Sequence, residues 1–135
     1  MNGTKIANAR PTASTVVRGD SPGGIQRTRA VTRAFTRGLN PPPHPDVADA
    51  ILLVVSELAT NALRHGGGRY TLELSAGPDT VTVAVSDPNP AVPRARPPDL
   101  STGTGGFGWH MVRRLSREVT ITRGRGKTIY ASLLR

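Results

Sequence analysis

The chain has 135 residues, 36% of them hydrophobic, with 18 basic and 9 acidic side chains and a net charge of +9. That length suits one domain around one core. No apolar run reaches the roughly eighteen residues of a membrane helix, residues 1–7 lack the apolar stretch of a signal peptide, and the absence of cysteine excludes disulfides and thiolate metal sites. A cytoplasmic protein is the expectation.

Charge is unevenly spread. Residues 1–45 carry seven basic and one acidic residue, residues 46–100 four and seven, and residues 101–135 seven and one. Sixteen of the basic residues are arginine. This balance favours an anionic partner such as a nucleotide, a nucleic acid or an acidic protein. A GC-rich genome that uses arginine in place of lysine explains the arginine bias equally well.

Residues 1–12 are small, polar and unpatterned, and predict a disordered tail. The single domain is expected over 13–135. Thr12 to Arg18 reads as a short edge strand. Ser21-Pro22 offers a cap and a first helical residue, and a helix is predicted over 22–38. Its inner side is expected to carry Val31, Ala34, Phe35 and Leu39, and its outer side Arg29, Arg33 and Arg37. That arginine row is either a solvated face or a docking surface for an acidic partner. The proline run from Pro41 stops the helix, and His44 within it is assigned no role.

Asp46 predicts the cap of a second helix. Ile51 to Val55 is apolar all round, which marks a central, covered segment. Glu57, Asn61 and His65 then recur every four residues and so line one face. Gly66-Gly67-Gly68 ends the helix. From Arg69 the period becomes two: Tyr70, Leu72, Leu74 and Ala76 face one way, and after a Gly77-Pro78-Asp79-Thr80 turn Val81, Val83 and Val85 follow. Residues 88–104 hold five prolines, and a loop of that length in a compact domain is usually functional or disordered. A helix from about Trp109 to Ser116 and two alternating strands close the chain. The predicted fold class is α+β, a two-layer sandwich of helices on one face of a mostly antiparallel, mixed sheet.

Three groups of residues could carry chemistry. Gly103-x-Gly105-x-x-Gly108 does not follow a strand or sit in a parallel βαβ unit, so the dinucleotide-fold reading is rejected. Its glycines still allow close backbone approach, and the helix it opens would present free amides to phosphate. A buried Glu57 must be paired, hydrated or functional; it could orient or deprotonate a hydroxyl. Asn61 offers a neutral oxygen to Mg2+, an ion that keeps waters and bridges to phosphates. Both residues could equally just solvate the helix. Asp87, at a strand end, could accept a hydrogen bond from an exocyclic amine or begin a turn.

Taken in order, these segments resemble the GHKL (Bergerat-fold) superfamily of histidine-kinase-like ATPases, and within it the small bacterial anti-sigma-factor serine kinases. Ser56 to Gly66 is similar to that family's N box. The resemblance covers about residues 15–135. It implies ATP and Mg2+ as cofactors, with Asn61 as metal ligand and Glu57 as catalytic base. Asp87 would recognise adenine and Thr128 would help hold that aspartate. Gly103, Thr104, Gly105, Gly106, Phe107, Gly108 and Trp109 would lie at the phosphates, under a lid spanning 88–104. The implied activity is phosphorylation of a serine on a small anti-sigma antagonist, with a sigma factor as a further partner and a homodimer as a plausible assembly. One departure stands out: Asp87-Pro88-Asn89 occupies the place of the family's Asp-x-Gly, where Pro88 stiffens the turn and removes an amide. A partner-sequestering module with weak or no turnover is the alternative. A nucleic-acid-binding domain is disfavoured by only five aromatic residues and no reader motif.

Overall fold

The computed structural model describes residues 13–93 and 107–135. Five strands form one sheet: β1 (Ala13–Gly19), β2 (Tyr70–Ala76), β3 (Thr80–Asp87), β4 (Glu118–Arg123) and β5 (Lys127–Leu134). Their spatial order is β1-β2-β3-β5-β4, and every pairing among the described residues is antiparallel. Three helices join them: α1 (Gly24–Arg37), α2 (Pro45–His65) and α3 (Phe107–Leu115). The expected tail, residues 1–12, lies outside the described residues, as does most of the expected lid.

Period-two patterning sets the layers. Leu72 and Leu74 of β2, Val81, Val83 and Val85 of β3, and Ile129, Ala131 and Leu133 of β5 are buried on the helix-covered face. The opposite face is rich in hydroxyls, with Thr71, Ser75, Thr82, Ser86, Thr128 and Ser132 in matching register. Threonine suits an open sheet face because its branched Cβ fits the pleat while its hydroxyl stays hydrated.

α2 supplies the centre of the core. Ile51, Val54, Val55, Leu58, Ala59 and Ala62 are buried, at spacings that keep them on one side of a 3.6-residue helix. Each large member removes about 1.5–3 kcal/mol worth of apolar surface from water. The cap of α2 is His44 rather than Asp46: the His44 Nδ1 accepts the Asp46 amide at 3.1 Å. Pro45 follows at the first helical position, where no amide is needed.

α1 packs differently from its sequence reading. Its buried residues are Thr28, Thr32 and Thr36, with Val31 and Phe35 only partly buried and Ala34 exposed. The threonines can be buried because their hydroxyls are satisfied locally. Thr32 donates to the Thr28 carbonyl at 2.8 Å and Thr36 to the Arg33 carbonyl at 3.1 Å, while the Thr28 hydroxyl pairs with the Tyr70 hydroxyl at 2.7 Å. Arg29 leaves the predicted outer row: it is half-buried and donates to Ser56 Oγ of α2 at 2.7 Å. Arg33 and Arg37 are exposed. Ser21 does not cap α1 with its side chain; Gly23 holds the cap position.

Candidate nucleotide site

Where the apolar stripe of α2 ends, its neighbouring face turns polar. Glu57 and Asn61 are half-buried there, and His65 is exposed. Neither the Glu57 nor the Asn61 side chain makes a hydrogen bond or ion pair among the described residues. Glu57 lies against the first turn of α3: its Oε2 occupies the space that a Cβ on Gly108 would fill. The end of the glycine-rich segment and the polar row of α2 are therefore in contact. Only a glycine at 108 admits the carboxylate so close to the helix backbone.

Gly103, Thr104, Gly105 and Gly106 lie outside the described residues, and so does the side chain of Phe107. Trp109, expected beside the phosphates, instead belongs to the buried core together with Val112. It anchors α3 through its apolar ring.

Asp87 closes β3 on the helix-covered side, and it is already engaged. Lys127 stands directly opposite it in the β3–β5 register. The Lys127 ammonium lies 3.0 Å from each Asp87 oxygen and donates to the Asn89 carbonyl at 2.9 Å. The two side chains are 5% and 4% exposed. The Asn89 amide also donates to Asp87 Oδ1, at 2.9 Å, so the predicted turn at this aspartate is formed as well. Gly66 packs against the carboxylate.

Thr128 does not reach Asp87. It projects from the other face of β5, where its hydroxyl pairs with Ser86 at 2.7 Å. Alternation along a strand makes this unavoidable once Lys127 faces the core side. Lys127 is one of two lysines in an arginine-rich chain and sits one residue before the threonine singled out, but nothing in the sequence pairs it with Asp87.

The departure at Pro88-Asn89 has a local explanation. Asn89 Nδ2 donates to the His65 carbonyl at the end of α2, at 2.7 Å, and Asn89 Oδ1 accepts the Ala91 amide at 2.9 Å. Pro88 packs on Gly67, whose φ of 105° favours glycine. The turn is thus tied to the helix end by a side chain that glycine lacks.

A cavity of about 650 Å3 reaches Asp87 from the β1 side, lined in part by Arg18, Arg27, Arg69 and Tyr70. Neither Glu57 nor Asn61 lines it. Among the described residues no three His, Cys, Asp or Glu side chains cluster as a metal site. None of the described helices is long and apolar enough to cross a membrane.

Residues 21–133 match the family described as the histidine kinase-like ATPase domain. The chain belongs to that family. As a histidine kinase-like ATPase domain, it is an ATP-binding type of module in the general sense. Its fold is shared with the crystal structure of the RsbU and RsbW domains of Rv1364c from Mycobacterium tuberculosis, at a TM-score of 0.66 and 21% identity. That match covers 92% of the present chain and 32% of the other, so the ATPase-like domain spans about a third of that structure's length. No curated protein matches the chain.

Proposed function

We propose that the chain is an ATP-dependent serine/threonine protein kinase of the anti-sigma-factor type, acting in the cytoplasm on a small antagonist protein. The observation that carries this reading is the meeting of Glu57, one turn from Asn61, with the first turn of α3 at Gly108. Two half-buried polar side chains that have no hydrogen-bond or ion-pair partner among the described residues stand beside that turn, and their polar atoms are open to a ligand.

In this reading Asn61 is the protein's ligand to Mg2+. One amide oxygen, with no cluster of acidic side chains beside it among the described residues, fits an ion that takes most of its ligands from water and phosphate. The ion would neutralise charge on the phosphates. Glu57 accepts the proton of the substrate serine hydroxyl, and the α3 amides orient the phosphates, so that catalysis is mostly positioning. A sigma factor would dock on an arginine-bearing surface such as Arg33 and Arg37 of α1, and a second copy would complete a homodimer.

A second reading is favoured by one observation, the Lys127–Asp87 ion pair. With that aspartate engaged, the same fold would sequester a partner with little use of nucleotide. Calorimetry with Mg·ATP, followed by phosphoserine detection on proteins co-purified from the native host, separates the two. The kinase reading expects wild-type binding, loss of binding in Asn61→Ala, and binding without phosphotransfer in Glu57→Gln. Absence of wild-type binding at millimolar ATP would sink it. ATP-independent co-elution of a partner that is never phosphorylated would favour sequestration.

A further inference from the structure

We propose that Lys127 is an internal occupant of the base pocket, a built-in competitor that sets how tightly and how selectively this domain holds a purine. The proposal rests on the reading of the Asp87 region as the nucleotide's base site.

An ammonium has three N–H donors. Lys127 donates to Asp87 Oδ1 at 3.0 Å and to the Asn89 carbonyl at 2.9 Å, and lies in ion-pair contact with Asp87 Oδ2 at 3.0 Å. Its charge is turned onto these three oxygens, and the side chain is 5% exposed. The carboxylate is engaged as well, because Oδ1 accepts from both Lys127 and the Asn89 amide, while Oδ2 lies in the ion pair 3.0 Å from Lys127 and packs against Gly66. At 4% exposure the aspartate presents almost no surface to an incoming amine.

A neutral exocyclic amine is a weaker partner for a buried carboxylate than an ammonium is. To reach Asp87 it must expel Lys127 and leave a buried cation with only the Asn89 carbonyl. Stranding one member of a buried ion pair is strongly unfavourable. The lysine's shape is suited to this role, since a compact tetrahedral cation fits three converging acceptors where a planar guanidinium would not. In the wild-type chain, affinity therefore comes mainly from the phosphate end, and adenine is poorly distinguished from guanine. Removing the lysine's charge frees Asp87 to accept the adenine amine, which guanine, with a carbonyl at that position, does not supply.

The test is calorimetry with Mg·ATP and Mg·GTP on wild type, Lys127→Met and the neutral double variant Asp87→Asn/Lys127→Met. The expected result is wild-type ATP and GTP affinities within roughly threefold of each other, and a gain of roughly tenfold or more for ATP in Lys127→Met, equivalent to about 1.4 kcal/mol. A preference for ATP over GTP should appear with that gain. The double variant leaves no buried charge, so it keeps the test usable should Lys127→Met fail to fold; its carboxamide oxygen also accepts the amine, and it too should gain affinity for ATP. Measurable ATP binding that is equal in wild type and whichever variants fold overturns the role of Lys127 and leaves the ATP site standing. No binding of either nucleotide by any of the three proteins overturns the ATP site itself, and the competitor role with it.

Discussion

Gly66 and Asp87 share one space: the carboxylate of Asp87 lies where a Cβ on Gly66 would be, 2.5 Å from that position. The end of α2 and the end of β3 are therefore matched to each other by a missing side chain. Gly66 has an ordinary φ of −101°, so sterics alone demand glycine there. Gly66→Ala should displace the carboxylate from Lys127 and cost about 1–3 kcal/mol, as overpacking of a tight site does. Urea denaturation measures the loss directly; stability unchanged from wild type would mean that the two elements separate freely.

The next two glycines differ in kind. Gly67 has a φ of 105° and Pro88 packed against it, whereas Gly68 has a φ of 85° with open space around it. Alanine at 68 should cost only the backbone penalty of about 1–2 kcal/mol, and alanine at 67 should cost more because Pro88 must also move. Thermal melts of the two variants, taken side by side, check the order.

Thr28 and Tyr70 make a buried hydroxyl pair at 2.7 Å between α1 and β2. Tyr70→Phe leaves the Thr28 hydroxyl without that partner and should cost about 1–2 kcal/mol. A double-mutant cycle with Thr28→Val should return a coupling of about 1 kcal/mol, since removing both hydroxyls strands neither. Additive effects would show that the pair contributes nothing beyond its separate members.

Residue parity on β5 gives a sharper contrast. Thr128 bonds to Ser86 on the open face, so Thr128→Val should change ATP affinity by less than about threefold and stability by about 1 kcal/mol or less. A large loss of nucleotide binding in Thr128→Val, with Lys127→Met unchanged, would reverse the assignment made from the register. Titration of both variants with Mg·ATP decides it.

The elements that sequence patterning predicted well are those whose signal is periodic and local. The polar row on α2 and the β2–β3 hairpin follow from side-chain spacing alone, and the structure places both where that spacing implies. What patterning missed depends on partners distant in sequence or on groups that satisfy themselves. Thr28, Thr32 and Thr36 count as polar in any hydropathy reading, yet hydrogen bonds to their own helix and to Tyr70 make them core residues. His44 caps α2 with a ring nitrogen, although Asp46 is the stronger cap by residue type. Lys127 finds Asp87 across forty residues of chain, and only the register of β3 against β5 brings them together. Of the candidate site, Glu57 and its helix were legible in this way, while the partner of Asp87 was not.

Asn89 is fastened at both ends, by its side chain to the last carbonyl of α2 and by its own carbonyl to Lys127. The ion pair and the root of the proline-rich segment are consequently one mechanical unit. Whatever draws the ammonium away also slackens the clasp on that segment, and strain on the segment is felt at the pair. The Asp87–Lys127 pair and the backbone at Asn89 cannot be set independently in this chain.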